Sequence, residues 1–129
     1  MQRIMLKSKI QEVRVTSKEI HYAGSLEIDK DLMDAAGIVF GEQIHVYNVT
    51  NGARIITYAI SAPKGSGVIS IKGAAGRLFE KGDVILVLSF ANMEDEDLSN
   101  YSHRIIYVDE NNRLVRTEDR TEEEYLKSR

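Results

Sequence analysis

Apolar residues recur at every second position along much of this chain, the period of a half-buried strand. Residues 3 to 15 carry the pattern through Ile4, Leu6 and Ile10, then change phase to Val13 and Val15. A change of phase inside one run predicts a bend or bulge, here near Gln11 and Glu12. A second strand is expected over residues 19 to 28, with Ile20, Tyr22, Leu26 and Ile28 in one phase and an Ala-Gly-Ser step in its middle. Glycine inside a strand marks a bulge or the close approach of another backbone.

Further along, "DKDLMDAAG" opens on acidic residues and closes on Gly37, which predicts a short helix. In "GEQIHVYNVTNGARIITYAI" two β-rich runs flank Asn51-Gly52, the pair favoured in a tight type I′ hairpin. "APKGSG" reads as a turn, "VISIK" as a strand, "GAAGRLFE" as a helical turn and "GDVILVLSF" as another strand. "RIIYV" and "RLVR" are expected to pair across "DENN". The acidic "NMEDEDLSN" reads as a solvated loop, and the charged tail "TEDRTEEEYLKSR" as disordered or a frayed helix. "GDVILVLSF" can be laid on "GEQIHVYNV", with Gly82 on Gly41, Asp83 on Glu42, Ile85 on Ile44 and Val87 on Val46. Such a repeat predicts a barrel with internal pseudosymmetry.

Length and composition narrow the function. At 129 residues the chain suits one domain. A formal charge of -3 with scattered basic residues argues against nucleic acid. Without cysteine there is no disulfide, thiolate metal site or thiol nucleophile, and His21, His45 and His103 lack metal-ligand spacing. No metal is expected. "VILVLSFA" is too short to span a membrane and "MQRIMLKSKIQEVRV" lacks a signal-peptide core, so the expectation is a cytoplasmic protein with no membrane partner.

Chemistry has one local candidate. A serine hydroxyl can attack the preceding carbonyl when the backbone is held in a strained geometry, and Ser25 follows Gly24 within a strand. A plain turn or bulge explains that step as well, and Gly65-Ser66 is a second copy at an ordinary turn.

Taken in order, "KSKIQEVRVT", "HYAGSLEID", "NVTNGARIITYAI" and "GAAG" resemble the pyruvoyl-dependent aspartate 1-decarboxylase family, over about residues 1 to 116. The resemblance implies a mainly β fold, a six-stranded double-psi β-barrel with short helices at residues 1–116, followed by the charged tail 117–129. It further implies a homotetramer whose chains cut themselves between Gly24 and Ser25. Ser25 would become a covalent pyruvoyl group, the cofactor that forms a Schiff base with L-aspartate and acts as the electron sink for its decarboxylation. β-Alanine and CO2 are the implied products, feeding pantothenate and coenzyme A synthesis. The resemblance also leaves room for a maturation helper protein among the partners.

Matching positions carry roles by resemblance. Thr57 is associated with self-cleavage through the oxyanion on Gly24 and with substrate, and Tyr58 is the proton donor. Arg54 would pair with a substrate carboxylate, while Gly73, Ala74 and Ala75 form the substrate-contacting segment, where backbone N–H groups can receive an anion. Lys9 and Tyr22 also match site positions. Read without the resemblance, Thr57 is a strand residue, Arg54 an exposed hairpin residue and the Gly-Ala-Ala segment close packing. Lys72 stands where the family commonly has Asn, and Gln11 where His is frequent. A non-catalytic double-psi barrel used for binding is the alternative, and it predicts a chain that stays intact.

Overall fold

A computed structural model describes residues 1–129. Nine strands form one mainly β architecture: β1 Gln2–Arg14, β2 Ser17–Glu19, β3 Ser25–Asp29, β4 Gln43–Asn48, β5 Arg54–Ala62, β6 Ile69–Lys72, β7 Val84–Glu94, β8 His103–Val108 and β9 Leu114–Arg120. Helix α1 spans Lys30–Ala36 and α2 spans Glu122–Lys127, with short 3-10 helices at Ala74–Leu78 and Asp95–Asn100. Hydrogen bonding orders the strands β2-β6-β3-β5-β4-β7-β1-β8-β9. The count is therefore nine rather than the six expected. Two of the additional strands, β8 and β9, extend the order beyond β1, and the third, β2, is the short strand that precedes the bend at residues 20 to 24.

The phase change at residues 11 and 12 is a bulge. Ile10 faces Val87 and Val13 faces Ile85, so β1 spends an extra residue, and Glu12 takes φ 55 to absorb it. Ile10 and Val13 both reach the core as a result, beside Leu26, Ile44, Ile71 and Val87. The strand expected over residues 19 to 28 is instead two strands, with residues 20 to 24 bending between β2 and β3. Tyr22, assigned by phase to the buried side, is 54% exposed because it lies in that bend.

α1 forms as expected and is capped at both ends. Asp29 accepts from the Asp31 amide, and Gly37 closes it in the left-handed region at φ 69. Buried Asp29 also accepts from the Gly65 and Gly67 amides at 3.0 and 2.9 Å, which ties the helix start to the turn before β6. The β4/β5 hairpin is present, but its turn is not the two-residue type I′ form. Only Gly52 has positive φ, and the Asn48 backbone N–H bonds to Ala53 O at 2.8 Å, leaving a loop of residues 49 to 53. Asn48 Oδ1 accepts from the Thr50 amide at 2.9 Å, and this Asx turn sets the longer loop.

The repeat has a structural counterpart. Gly41 N–H donates to Ala59 O at 2.8 Å and Ala59 N–H to Glu42 O at 3.0 Å; Gly82 N–H donates to Val15 O at 2.8 Å and Val15 N–H to Asp83 O at 2.9 Å. Both glycines have positive φ, 86 and 93. The matched residues Val46 and Val87 face each other where β4 and β7 pair antiparallel. At the C-terminal end, β9 pairs with β8 and continues across residue 116 to Arg120, and the last charged residues form α2. The acidic segment forms the 3-10 helix Asp95–Asn100, with Asp95 bonded to Arg3 at the surface.

Candidate active site

β6 lies between β2 and β3, and Lys72 at its end is a junction. In the parallel pair Glu19 is level with Lys72, and in the antiparallel pair Ser25 stands opposite Lys72. On the other side of β3, Leu26 is level with Ala59 of β5. The β3–β5 ladder begins at that pair, and the residues that immediately precede it on the two strands are Ser25 and Tyr58. Side chains alternate across a sheet, so the buried set Leu26, Ile71 and Ala59 leaves Ser25, Lys72 and Tyr58 together on the opposite face. Glu19, Lys72 and Ser25 thus form a row across β2, β6 and β3, about 4.8 Å from one strand to the next, with Tyr58 on the neighbouring β5 just before its first pair with β3. Thr57, opposite Ile44, takes the inward phase.

Ser25 is only 2% exposed and its Oγ has no hydrogen-bond partner. Burying a hydroxyl without a partner is destabilising by about 1–3 kcal/mol, so the position is held by the fold in spite of its own preference. Both lone pairs are uncommitted within the chain. The preceding residue, Gly24, has nothing within 4 Å of where a Cβ would lie. Its φ is not positive, so the strained glycine expected there is a residue away in space rather than at Gly24 itself. That glycine is Gly73, with φ 85, whose Cβ would meet Gly24 Cα at 2.8 Å and Tyr22 O at 2.9 Å. Gly73 N–H donates to Glu19 O at 2.6 Å, and no side chain caps the helix that Ala74 and Ala75 begin.

Lys72 is tied to both sides of the bend. Its Nζ lies 3.2 Å from Glu19 and 3.6 Å from Glu27, and 5.5 Å from the centre of the Tyr22 ring. Lys9 and Arg54 are elsewhere. Lys9, on β1 between Leu88 and Ile105, lines a cavity with Tyr101, His103 and Arg120. Burial, with Lys9 and Arg120 adding to it, holds His103 below the usual histidine range. Arg54 precedes Tyr58 by four residues, about 13 Å along a strand, and stacks on Tyr47 at 4.1 Å. Gln11 lies in a groove with Arg14 and Tyr107. One chain therefore gathers Tyr22, Gly24, Ser25, Tyr58, Lys72 and Gly73 but not Lys9 or Arg54.

Residues 1–115 match the aspartate decarboxylase family. The chain belongs to that family. An aspartate 1-decarboxylase of Thermoanaerobacter pseudethanolicus is 50% identical over 115 residues, covering 89% of this chain and 98% of its own. Another, of Chromobacterium violaceum, is 47% identical over 121 residues, covering 94% and 96%. Among solved structures, a rationally designed protein superposes with a TM-score of 0.45 at 16% identity, covering 61% of this chain and 91% of that one. For an aspartate decarboxylase, the departure at Lys72 stands at the centre of the row, not at its margin. Glu19 and Glu27, its partners, were not singled out from sequence. Glu27 had a readable signal, since it follows Ser25 by two residues and so shares its face.

Proposed function

We propose that this chain converts L-aspartate to β-alanine and CO2 on a pyruvoyl group made from its own Ser25, as a cytoplasmic step toward pantothenate and coenzyme A. Membership of the family supports the reaction. The buried, unpartnered Ser25 hydroxyl beside Gly24 is the observation that carries self-processing.

Ser25 Oγ attacks the Gly24 carbonyl carbon, the Ser25 nitrogen leaves as an amine, and an ester joins the two residues. Thr57, on the strand beside β3, is the hydroxyl we assign to the oxyanion that develops. Loss of the Ser25 Cα proton with breakage of the Cβ–Oγ bond frees residues 1–24 as a carboxylate and leaves dehydroalanine. Water then enters, ammonia leaves, and residue 25 carries a ketone. That ketone supplies an electron sink for amino-acid decarboxylation. Tyr58, one strand away on the same face, gives a proton to the carbon that has lost CO2. Tyr22 and the backbone of Gly73, Ala74 and Ala75 form the wall that receives substrate.

Lys9 and Arg54 enter such a site from a second copy, and this supports a homotetramer. Ile56 and Tyr58, 62% and 38% exposed, share the outward phase with Arg54 and leave apolar surface for that copy to cover. We further read the sheet as a double-psi barrel. β1 and β2 stand far apart in strand order yet are joined through Val15 and Thr16, which bond to Asp83 O at 2.9 Å and Ile69 O at 2.8 Å. The chain thereby links the β7 side of the sheet to β6, which supports closure.

Intact mass before and after warming, with β-alanine measured in parallel, tests the reading. Fragments 1–24 and 25–129 with β-alanine formation are expected. An uncut chain that still makes β-alanine removes Ser25 from the mechanism, and an uncut, inactive chain favours a non-catalytic binding module.

A further inference from the structure

We infer that Lys72 is a positioning residue for scission of the Gly24–Ser25 bond, gripping the chain on both sides of it; this rests on the self-cleavage proposed above. Residues 20–24 arch over the end of β6, leaving β2 at Glu19 and entering β3 at Ser25. They make no backbone hydrogen bond of their own. What fixes the arch is therefore the residue pair beneath it. Gly73 supplies close contact, and Lys72 supplies charge.

Glu19 precedes the scissile bond and Glu27 follows it, and one ammonium reaches both, at 3.2 and 3.6 Å. The same ammonium lies 5.5 Å from the Tyr22 ring centre, within range of a cation–π contact from the arch itself. Lys72 is 13% exposed, so its charge is largely withdrawn from water and depends on these partners. The bracket closes around the arch from upstream, from within and from downstream.

Attack of Ser25 Oγ on the Gly24 carbonyl requires a separation of about 3–3.5 Å with aligned orbitals. An arch held only by packing samples many other arrangements. Lys72 acts by restricting them, not by taking the serine proton. An ammonium has no lone pair, and Ser25 Oγ has no hydrogen-bond partner at all.

The test is a double-mutant cycle on the rate of cleavage, followed by intact mass after warming, with thermal denaturation of each variant alongside. Variants are Lys72→Met, Lys72→Arg, Glu19→Gln with Glu27→Gln, and Lys72→Met combined with both glutamines. Lys72→Met is expected to slow cleavage by about 10- to 100-fold, the scale of a small misplacement, and Lys72→Arg to restore it to within a few-fold of the parent. The glutamine pair slows cleavage similarly, and the combined variant is no slower than Lys72→Met, because one interaction is lost once. Cleavage of Lys72→Met at the parent rate, or losses that multiply in the combined variant, overturns the inference. A parent chain that never cleaves is a different result, and it overturns the self-cleavage reading itself.

Discussion

Gly73 and Gly24 touch: a Cβ added to Gly73 would stand 2.8 Å from the Gly24 Cα, whereas one added to Gly24 would meet nothing within 4 Å. Adjacent glycines in space thus have opposite tolerances. Gly73→Ala adds a clash with backbone and forces a side chain into φ 85. It is expected to lower stability by about 1–3 kcal/mol and to displace the bend at residues 20 to 24, with cleavage slowed. Gly24→Ala is expected to leave the denaturation midpoint within a degree or two. Thermal melts of both variants, read beside cleavage gels, check the contrast.

Ser25→Ala removes a hydroxyl that is buried and unpartnered. Deleting an unsatisfied polar group is neutral or stabilising. The variant should therefore melt at or above the parent's temperature, measured on the uncleaved chain, while remaining a single 129-residue species without turnover. A clear loss of stability would show that the hydroxyl has a partner in solution.

Tyr58→Phe leaves the proposed cleavage chemistry untouched, because neither Ser25 nor the Gly24 carbonyl uses the phenol. Fragments 1–24 and 25–129 should appear at the parent rate, while aspartate turnover falls by about 10²- to 10⁴-fold, the range for losing a positioned acid. Parent-level turnover in a fully cleaved variant would reduce Tyr58 to a packing residue.

Arg54→Ala should raise the aspartate concentration needed for half-maximal rate by 10-fold or more, about the loss of one charged hydrogen-bonded pair. Cleavage should be unaffected, since Arg54 is about 13 Å along β5 from the level of Ser25. Steady-state kinetics on cleaved protein decide it, and an unchanged KM would exclude Arg54 from substrate binding.

Acid stability should depend on Glu42. Burial raises its pKa, but hydrogen bonds from Lys7, Ser89 and the Val39 amide outweigh that and leave the carboxyl below the ordinary glutamate range. A depressed carboxyl stabilises the fold above its unfolded pKa, about 4.3, and that contribution is lost as pH falls through the folded value. Glu42→Gln should be less stable than the parent near neutrality, with the gap closing below about pH 4. A gap that stays constant with pH would mean the ionised carboxylate contributes nothing.

Local pattern located most elements, because alternation and cap residues report on the chain's own backbone. The bulge at Gln11 and Glu12, the helix after Asp29 and the Gly41/Gly82 correspondence were legible that way. The site was legible only in part. Ser25, Tyr58 and Gly73 came through the ordered motifs, but nothing local says that Lys72 faces Glu19 on one side and Ser25 on the other. Those are long-range pairings made by β6 with two different strands. Tyr22 misled for a related reason: its phase fits a continuous strand, and only the meeting of Gly73 with Gly24 turns the chain there. At Asn48 a side chain overrode the turn that Asn51-Gly52 favours.

The residues ahead of the proposed cleavage point are not a detachable leader. β1 is hydrogen-bonded between β7 and β8 in the interior of the strand order, and β2 pairs with β6 at its end, so residues 1–24 are built into the sheet. Cutting after Gly24 would therefore release nothing. It would instead change the molecularity of folding: a chain that refolds by itself becomes two pieces that must find each other, at a rate set by concentration. Folding has to come first and scission second, and once cut, a denatured molecule in dilute solution has lost its own way back.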